Sequence, residues 1–240
     1  MGARLAVVGG NSLIGSDIGV DAPELTVDDG TRAVVVRDLG DAYLLQRHGF
    51  DGYTPPHLVD HHANLRALAA LGCDRVLALN SCGGLRDTLG VGTFLLADDF
   101  VALGPVPSRF DDERGHRVAS FDPAWRAEVL DTWRTAAAEP LRDGGVYWQV
   151  IGPRLESPAE IRMFAQHADV VGMTMASECV VAGEVGLAYA SVCIVDNLAN
   201  GVGEAPLTWA EFEAGRATTQ RVLARVLDAL VPAFGAGQSS

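Results

Sequence analysis

The chain contains no lysine; all 18 of its basic residues are arginine. That excludes a Walker-type phosphate loop and any Schiff-base mechanism, because both need a lysine amine. A bound phosphate would have to be held by arginine, hydroxyls, backbone N–H groups or a metal. Positive charge is scarce overall, 18 basic against 31 acidic residues, for a formal net charge of -13. This balance argues against a nucleic-acid partner, whose backbone needs basic side chains to replace its counterions. Small anionic ligands stay open, since a pocket's preference follows its local field. Cysteine is limited to Cys73, Cys82, Cys179 and Cys193, in apolar or glycine-rich stretches without paired metal-ligand spacing. They read as buried free thiols of a reducing compartment, with no disulfide framework and no metal site. No apolar run approaches membrane-spanning length, and the first residues lack a basic-then-apolar leader pattern. The expectation is a cytoplasmic protein without a membrane partner.

What is present is ample apolar material, 48% of 240 residues, enough for a substantial core. Strand-like apolar runs fall at 4–8, 33–36, 42–45, 76–79, 94–96, 146–151, 170–171 and 187–195. Helical signals mark 58–71, 123–138, 158–167, 177–185 and 207–230, the first stopping at Gly72, a good C-cap residue. Residues 105–121 read as a polar loop. This alternation predicts one α/β domain over 1–234, in three layers with a mixed central sheet flanked by helices, and a loose tail at 235–240.

Polar clusters sit where the apolar runs end. Four could surround an oxyanion: the turn Gly9-Gly10-Asn11-Ser12, the pair Arg47-His48, Ser81 and Thr174. Glycine turns point backbone N–H groups at an anion, short hydroxyls add donors, and arginine supplies a planar fork. Taken singly, such a turn is usually only a turn and His48 more often structural; their joint occurrence is the stronger signal. Three more clusters fall within 147–201: Gly152-Pro153-Arg154-Leu155-Glu156, Gly172-Met173-Thr174-Met175-Ala176-Ser177-Glu178, and Asp196-Asn197. Strand ends that each deliver a carboxylate, hydroxyl or amide to one crevice are how open α/β sheets build small-molecule sites.

These motifs, with Arg47-His48-Gly49 running on to Ala63-Asn64-Leu65 and with Asn80-Ser81-Cys82-Gly83-Gly84-Leu85, resemble the trimeric purine nucleoside phosphorylases and 5′-methylthioadenosine phosphorylases over nearly the whole chain. The resemblance implies a nucleoside phosphorylase-like fold and a homotrimer in which a neighbour's loop closes part of the 5′ pocket. It implies inorganic phosphate as co-substrate and no metal or organic cofactor. Phosphate contacts are implied for Arg47, His48, Ser81 and Thr174, with Asn11 or Ser12. Nucleoside contacts are implied for Cys82, Gly83, Leu155, Glu156, Gly172, Met173 and Asn197, with Met173 beneath the ribose. Glu178 is implied to reach the ribose hydroxyls through neighbours, and His48 and Asn197 are the candidate catalytic groups. The chain departs from the family at Gly10-Asn11-Ser12, where Gly-Gly-Ser/Thr-Gly is usual, at His61, an aromatic position, and at Asp196, where Thr or Val is usual.

A carboxylate only accepts hydrogen bonds, so Glu156 would select a purine edge that donates, such as N1–H of hypoxanthine or guanine. Adenine's unprotonated N1 would face it lone pair to lone pair. Asn197 could donate to N7 or O6 and help the leaving purine carry negative charge. By resemblance, this Glu/Asn combination marks the 6-oxopurine members, and Ser and Asp the methylthioadenosine members. Read alone, Glu156 is a helix-start acid and Asn197 a turn residue. No histidine follows His167, and Trp209 stands where the ordinary nucleoside enzymes of the family hold the 5′-hydroxyl with a histidine. An indole there favours a methylthio substituent, or simply packs its helix. The expected function is phosphorolysis of a 6-oxopurine nucleoside, 5′-methylthioinosine as readily as inosine or guanosine, to free purine and a ribose 1-phosphate. A 5′-methylthioadenosine phosphorylase, a nucleoside hydrolase and a non-catalytic purine or nucleoside binder are the alternatives.

Overall fold

The structure, a computed structural model, describes residues 4–28, 32–203 and 208–236. Its spine is strand β5 (Cys73–Gly84), whose residues 76–79 are an apolar run buried on both faces. Along one edge β1 (Arg4–Gly9) runs parallel to it, from Arg4↔Cys73 to Val8↔Ala78. At the far end of that same edge β10 (Val170–Gly172) runs antiparallel, through Val171↔Gly83 and Val170↔Gly84. The other edge is taken by β11 (Ala188–Leu198), parallel to β5. Strands β4 (Ala42–Gln46), β3 (Ala33–Asp38) and β2 (Glu24–Asp28) extend the sheet past β1, and β9 (Val146–Gln149) and β7 (Asp99–Ala102) past β10. Beyond β11 lie β6 (Phe94–Leu96) and β8 (Leu141–Asp143), completing an 11-stranded mixed sheet among the described residues.

Because β1 and β10 approach one edge of β5 from opposite directions, they leave a gap at residues 79–82. Two strand carboxyl ends therefore point at each other across that gap, where an open sheet receives ligands.

Helices α1 (His61–Ala70) and α4 (Met175–Val185) cover one face of the sheet, α2 (Pro123–Ala136) and α5 (Trp209–Ala236) the other, and α3 (Pro158–Phe164) packs beside β9 and β10. The pleat of β5 divides the core accordingly: Val76, Ala78 and Cys82 face α1 and α4, Leu77 and Leu79 face α2 and α5. The helix boundaries follow from side-chain caps, each worth roughly 1 kcal/mol. Asp60 accepts from Ala63 N, Asp122 from Trp125 N, and Ser157 and Glu160 form a reciprocal capping box. Gly186, at φ +81°, ends α4 in the left-handed conformation that glycine alone adopts without strain.

The predicted single α/β domain with a mixed sheet in three layers is what the structure has. Three differences bear on the site. Residues 80–84 and Asp196-Asn197, expected beyond strand ends, continue β5 and β11. Helix α4 begins at Met175, two residues earlier than expected, which places Thr174 at its N-cap. Helix α5 runs through Ala236, past the expected start of the tail at 235, and 237–240 lie outside the described residues. The expected polar loop at 105–121 holds one 3-10 turn, Glu113–Gly115, and is pinned where Ser108 Oγ and Arg109 N donate to Glu184. No helix among the described residues is long and apolar enough to cross a membrane.

Candidate active site

One cleft opens at the gap beside β5. Asn11, Arg47, His48, Ser81, Cys82, Gly83, Leu155, Glu156, Gly172, Met173, Thr174 and Asn197 all line it. Residues separated by up to 186 positions are thus brought together by two converging strand ends and the flanking loops. One expected residue is not in the wall. Ser12 is fully buried inside the 3-10 turn Asn11–Leu13, its hydroxyl without a hydrogen-bond partner, because the turn directs Asn11 to the cleft and Ser12 inward. Trp209 opens α5, and its side chain lies outside the described residues.

At one end of the cleft Arg47, His48, Ser81 and Thr174 are already bonded to the protein. Arg47, buried at the end of β4, turns Nε and Nη2 onto the two carboxylate oxygens of Glu178, each at 2.9 Å, and Nη1 onto the Leu79 carbonyl at 2.9 Å. Glu178 also accepts from Tyr189 Oη at 2.9 Å. The fork expected to face an anion is therefore filled by Glu178, whose carboxylate is bonded to both Arg47 and Tyr189. Burial opposes the Arg47 charge, and the paired carboxylate more than restores it. What Arg47 still presents is its Nη1 side, close enough to Gly10 that an added Cβ would sit 2.6 Å from it. Only glycine lets the turn come so near.

His48 Nδ1 lies 2.8 Å from the Thr54 carbonyl, which can only accept, so Nδ1 carries the proton and Nε2 is a lone pair. Burial, then repulsion from Arg47, holds the imidazole down to about 4, so the ring is neutral at ordinary pH. Tyr53 stacks on it with centroids 5.5 Å apart. Thr174 is set by its backbone N–H on Tyr147 Oη at 3.2 Å, and its hydroxyl donates to Asn80 Oδ1 at 3.2 Å. The Ser81 hydroxyl donates to Asp196. Tyr53 and Asn80 are site residues the sequence reading missed; Asn80 had a signal, opening the Asn80–Leu85 motif, whereas Tyr53 had none.

The other end is built differently. Glu156 is buried, yet among the described residues no other residue donates to its carboxylate, and burial raises its pKa. Asn197 spends one amide hydrogen on the Leu198 carbonyl at 2.8 Å, leaving its oxygen and second hydrogen to the cleft. Gly152 holds the loop before Glu156 against Met173, whose sulfur would lie 2.4 Å from an added Cβ. Pro153, Leu155, Val171 and Ala199 give this end apolar walls. A flat heterocycle with a donating edge is the ligand such walls and one open carboxylate fit.

Comparison with known proteins adds to this geometry. The family model described as Phosphorylase superfamily matches residues 3–232. A protein of Archaeoglobus fulgidus named "Probable 6-oxopurine nucleoside phosphorylase" is 33% identical over 212 residues, 87% of either chain. One of Xanthomonas campestris named "Probable S-methyl-5'-thioinosine phosphorylase" is 40% identical over 178 residues, 70% of either chain. The solved methylthioadenosine phosphorylase of Schistosoma mansoni in complex with tubercidin shares the fold, with a TM-score of 0.78 over 98% of this chain and 92% of its own, at 23% identity.

Proposed function

The chain belongs to the phosphorylase superfamily, and from that premise we propose that it is a purine nucleoside phosphorylase selective for 6-oxopurines. The observation that carries the selectivity is the buried Glu156 carboxylate, open to the cleft beside Asn197. Glu156 accepts N1–H of the base, and Asn197 donates to N7 or O6 as the base departs. Hydrogen phosphate lies at the opposite end, between the Arg47 Nη1 edge, Thr174 and Asn11. The long neutral Thr174–Asn80 bond gives way to the stronger acceptor. His48 Nε2 takes the remaining P–OH, so that unprotonated oxygens face the anomeric carbon. The C1′–N9 pair leaves with the purine, the pentose passes through an oxocarbenium-like state beside the anion, and a phosphate oxygen closes on C1′.

The apolar side chains Tyr53 and Pro56 beside His48, and the lack of any histidine after His167, support a 5′-methylthio substituent over a 5′-hydroxyl. Inosine, methylthioinosine and methylthioadenosine should be compared for purine release with and without phosphate. Phosphate-dependent release from the two 6-oxopurine nucleosides, methylthioinosine foremost, is the expected result. Preference for methylthioadenosine would refute the role given to Glu156. The reading extends to a homotrimer, and a light-scattering mass of one chain would contradict that part.

A further inference from the structure

Asp196 is a fully buried carboxyl group for which the proposed reaction has no use. It lies behind the cleft wall, not in it. The pairing of β11 with β5 steps from Val195↔Cys82 directly to Asn197↔Gly83, so Asp196 is the extra residue of a bulge, without a partner on β5. Bulges re-aim side chains beside functional sites. Here the side chain is aimed between two hydroxyls: Ser81 on β5 donates to Oδ2, and Thr219 on α5 donates to Oδ1. Burial raises the pKa of this carboxyl, and the two hydroxyl bonds oppose that rise by favouring the ionised form. Helix α5 is seated directly on it, for an added Cβ at Gly215 would meet the Asp196 carbonyl oxygen at 1.7 Å.

This arrangement fixes the direction of the one bond Ser81 can donate. A serine hydroxyl has a single proton, and a carboxylate is a stronger acceptor than any neutral group. With that proton on Asp196, Ser81 turns only lone pairs to the cleft, with a negative charge behind them. An unprotonated phosphate oxygen there would meet acceptor against acceptor. A sugar hydroxyl would donate. The contrast with Thr174 is one of strength, since its neutral 3.2 Å bond to Asn80 is readily exchanged for an anion.

We infer that Asp196 sets the polarity of Ser81, so that Ser81 is a specificity residue accepting a hydrogen bond from a pentose hydroxyl, and not a donor to phosphate. Asp196 is then a positioning residue, and Thr219 ties both to α5. The inference rests on the nucleoside reading of the cleft, and it predicts discrimination against a deoxynucleoside.

Calorimetric binding of inorganic phosphate, inosine, 2′-deoxyinosine and 3′-deoxyinosine to the wild type, Ser81→Ala and Asp196→Asn tests it, with KM for each ligand measured alongside. Ser81→Ala should weaken inosine roughly tenfold, the worth of one hydrogen bond. It should leave phosphate and one of the two deoxynucleosides unchanged. Asp196→Asn removes the negative charge behind Ser81 and weakens the acceptor that holds its proton, so phosphate should tighten several-fold while inosine weakens. Weaker phosphate with unchanged inosine in Ser81→Ala would overturn the inference, as would equal changes in both ligands in Asp196→Asn. Ser81→Ala keeps the Asp196–Thr219 bond, so it decides the matter even where Asp196→Asn fails to fold. Nucleoside binding without phosphate-dependent release in the wild type would sink the catalytic reading alone, because the binding contrast is read without turnover.

Discussion

At the Arg47 end of the cleft Arg47, His48 and Thr174 are bonded within the protein before any ligand arrives, whereas at the Glu156 end a buried carboxylate and most of an amide are left to the cleft. The two ends place function on different foundations. The first is a buried ion pair and a fixed tautomer, where stability and ligand recognition reside in the same bonds. The second is a pair of side chains that carry little of the fold, so that recognition there can change without disturbing it.

Breaking the first end should have the largest effect. Arg47→Ala leaves Glu178 buried without its counter-charge, which costs about 3–5 kcal/mol. Phosphate-dependent turnover should fall to background in the same variant. Replacing both Arg47 and Glu178 by leucine should recover much of the stability, since apolar substitutes often match a buried pair, and still leave phosphate unused. Urea midpoints and kcat/KM at varied phosphate check both halves. Near-normal phosphorolysis in Arg47→Ala would remove Arg47 from the site.

The second end should separate the two quantities. Glu156→Ala should reduce kcat/KM on 6-oxopurine nucleosides roughly 10- to 100-fold, the worth of one hydrogen bond to a charged group. Its unfolding free energy should stay within about 0.5 kcal/mol of the wild type, as expected where no network is broken. An unchanged substrate profile would contradict the base-recognition role.

How much of this was legible in the sequence follows the same division. Glu156 and Asn197 are read from their own chemistry: a carboxylate accepts, and an amide does both. The Arg47–Glu178 pair spans 131 positions and has no local signature, so Arg47 read as a free fork and Glu178 as a group reaching the ribose through neighbours. Ser12 followed from the assumption that a hydroxyl near a glycine turn faces outward, which the 3-10 geometry of Asn11–Leu13 reverses. Most core strands and the helices stood out by periodicity and caps. The strands β2, β7 and β8 did not, being short and partly polar, as solvent-facing strands are. Asp196 had no account in sequence terms because its meaning lies in a bulge and in two hydroxyls on other elements.

pH sharpens the comparison further. Burial lifts the Glu156 carboxyl above the ordinary glutamate value, and its charged form is much the stronger acceptor for N1–H. As pH falls, that form is lost sooner than on an exposed glutamate, so kcat/KM for inosine should decline on the acid side with a midpoint above the ordinary glutamate value. His48, held at about 4, stays neutral through most of that fall. With hydrogen phosphate kept saturating at each pH, the acid limb should be absent in Glu156→Ala; its persistence there would assign it to another group. The smallest effect belongs to Tyr53, whose ring is more than half exposed as it stacks on His48. Tyr53→Ala should raise the phosphate KM only about two- to fivefold, matching the lower range of aromatic pair energies. A larger loss would show that the stack, and not the Thr54 carbonyl, orients the imidazole.

The most direct test of the central claim is to follow methylthioinosine and inorganic phosphate with the enzyme by phosphorus NMR. The inorganic phosphate signal should fall as a sugar 1-phosphate signal rises, in step with free hypoxanthine. Hypoxanthine released while the inorganic phosphate signal stays constant would mean that water is the acceptor, and would contradict it.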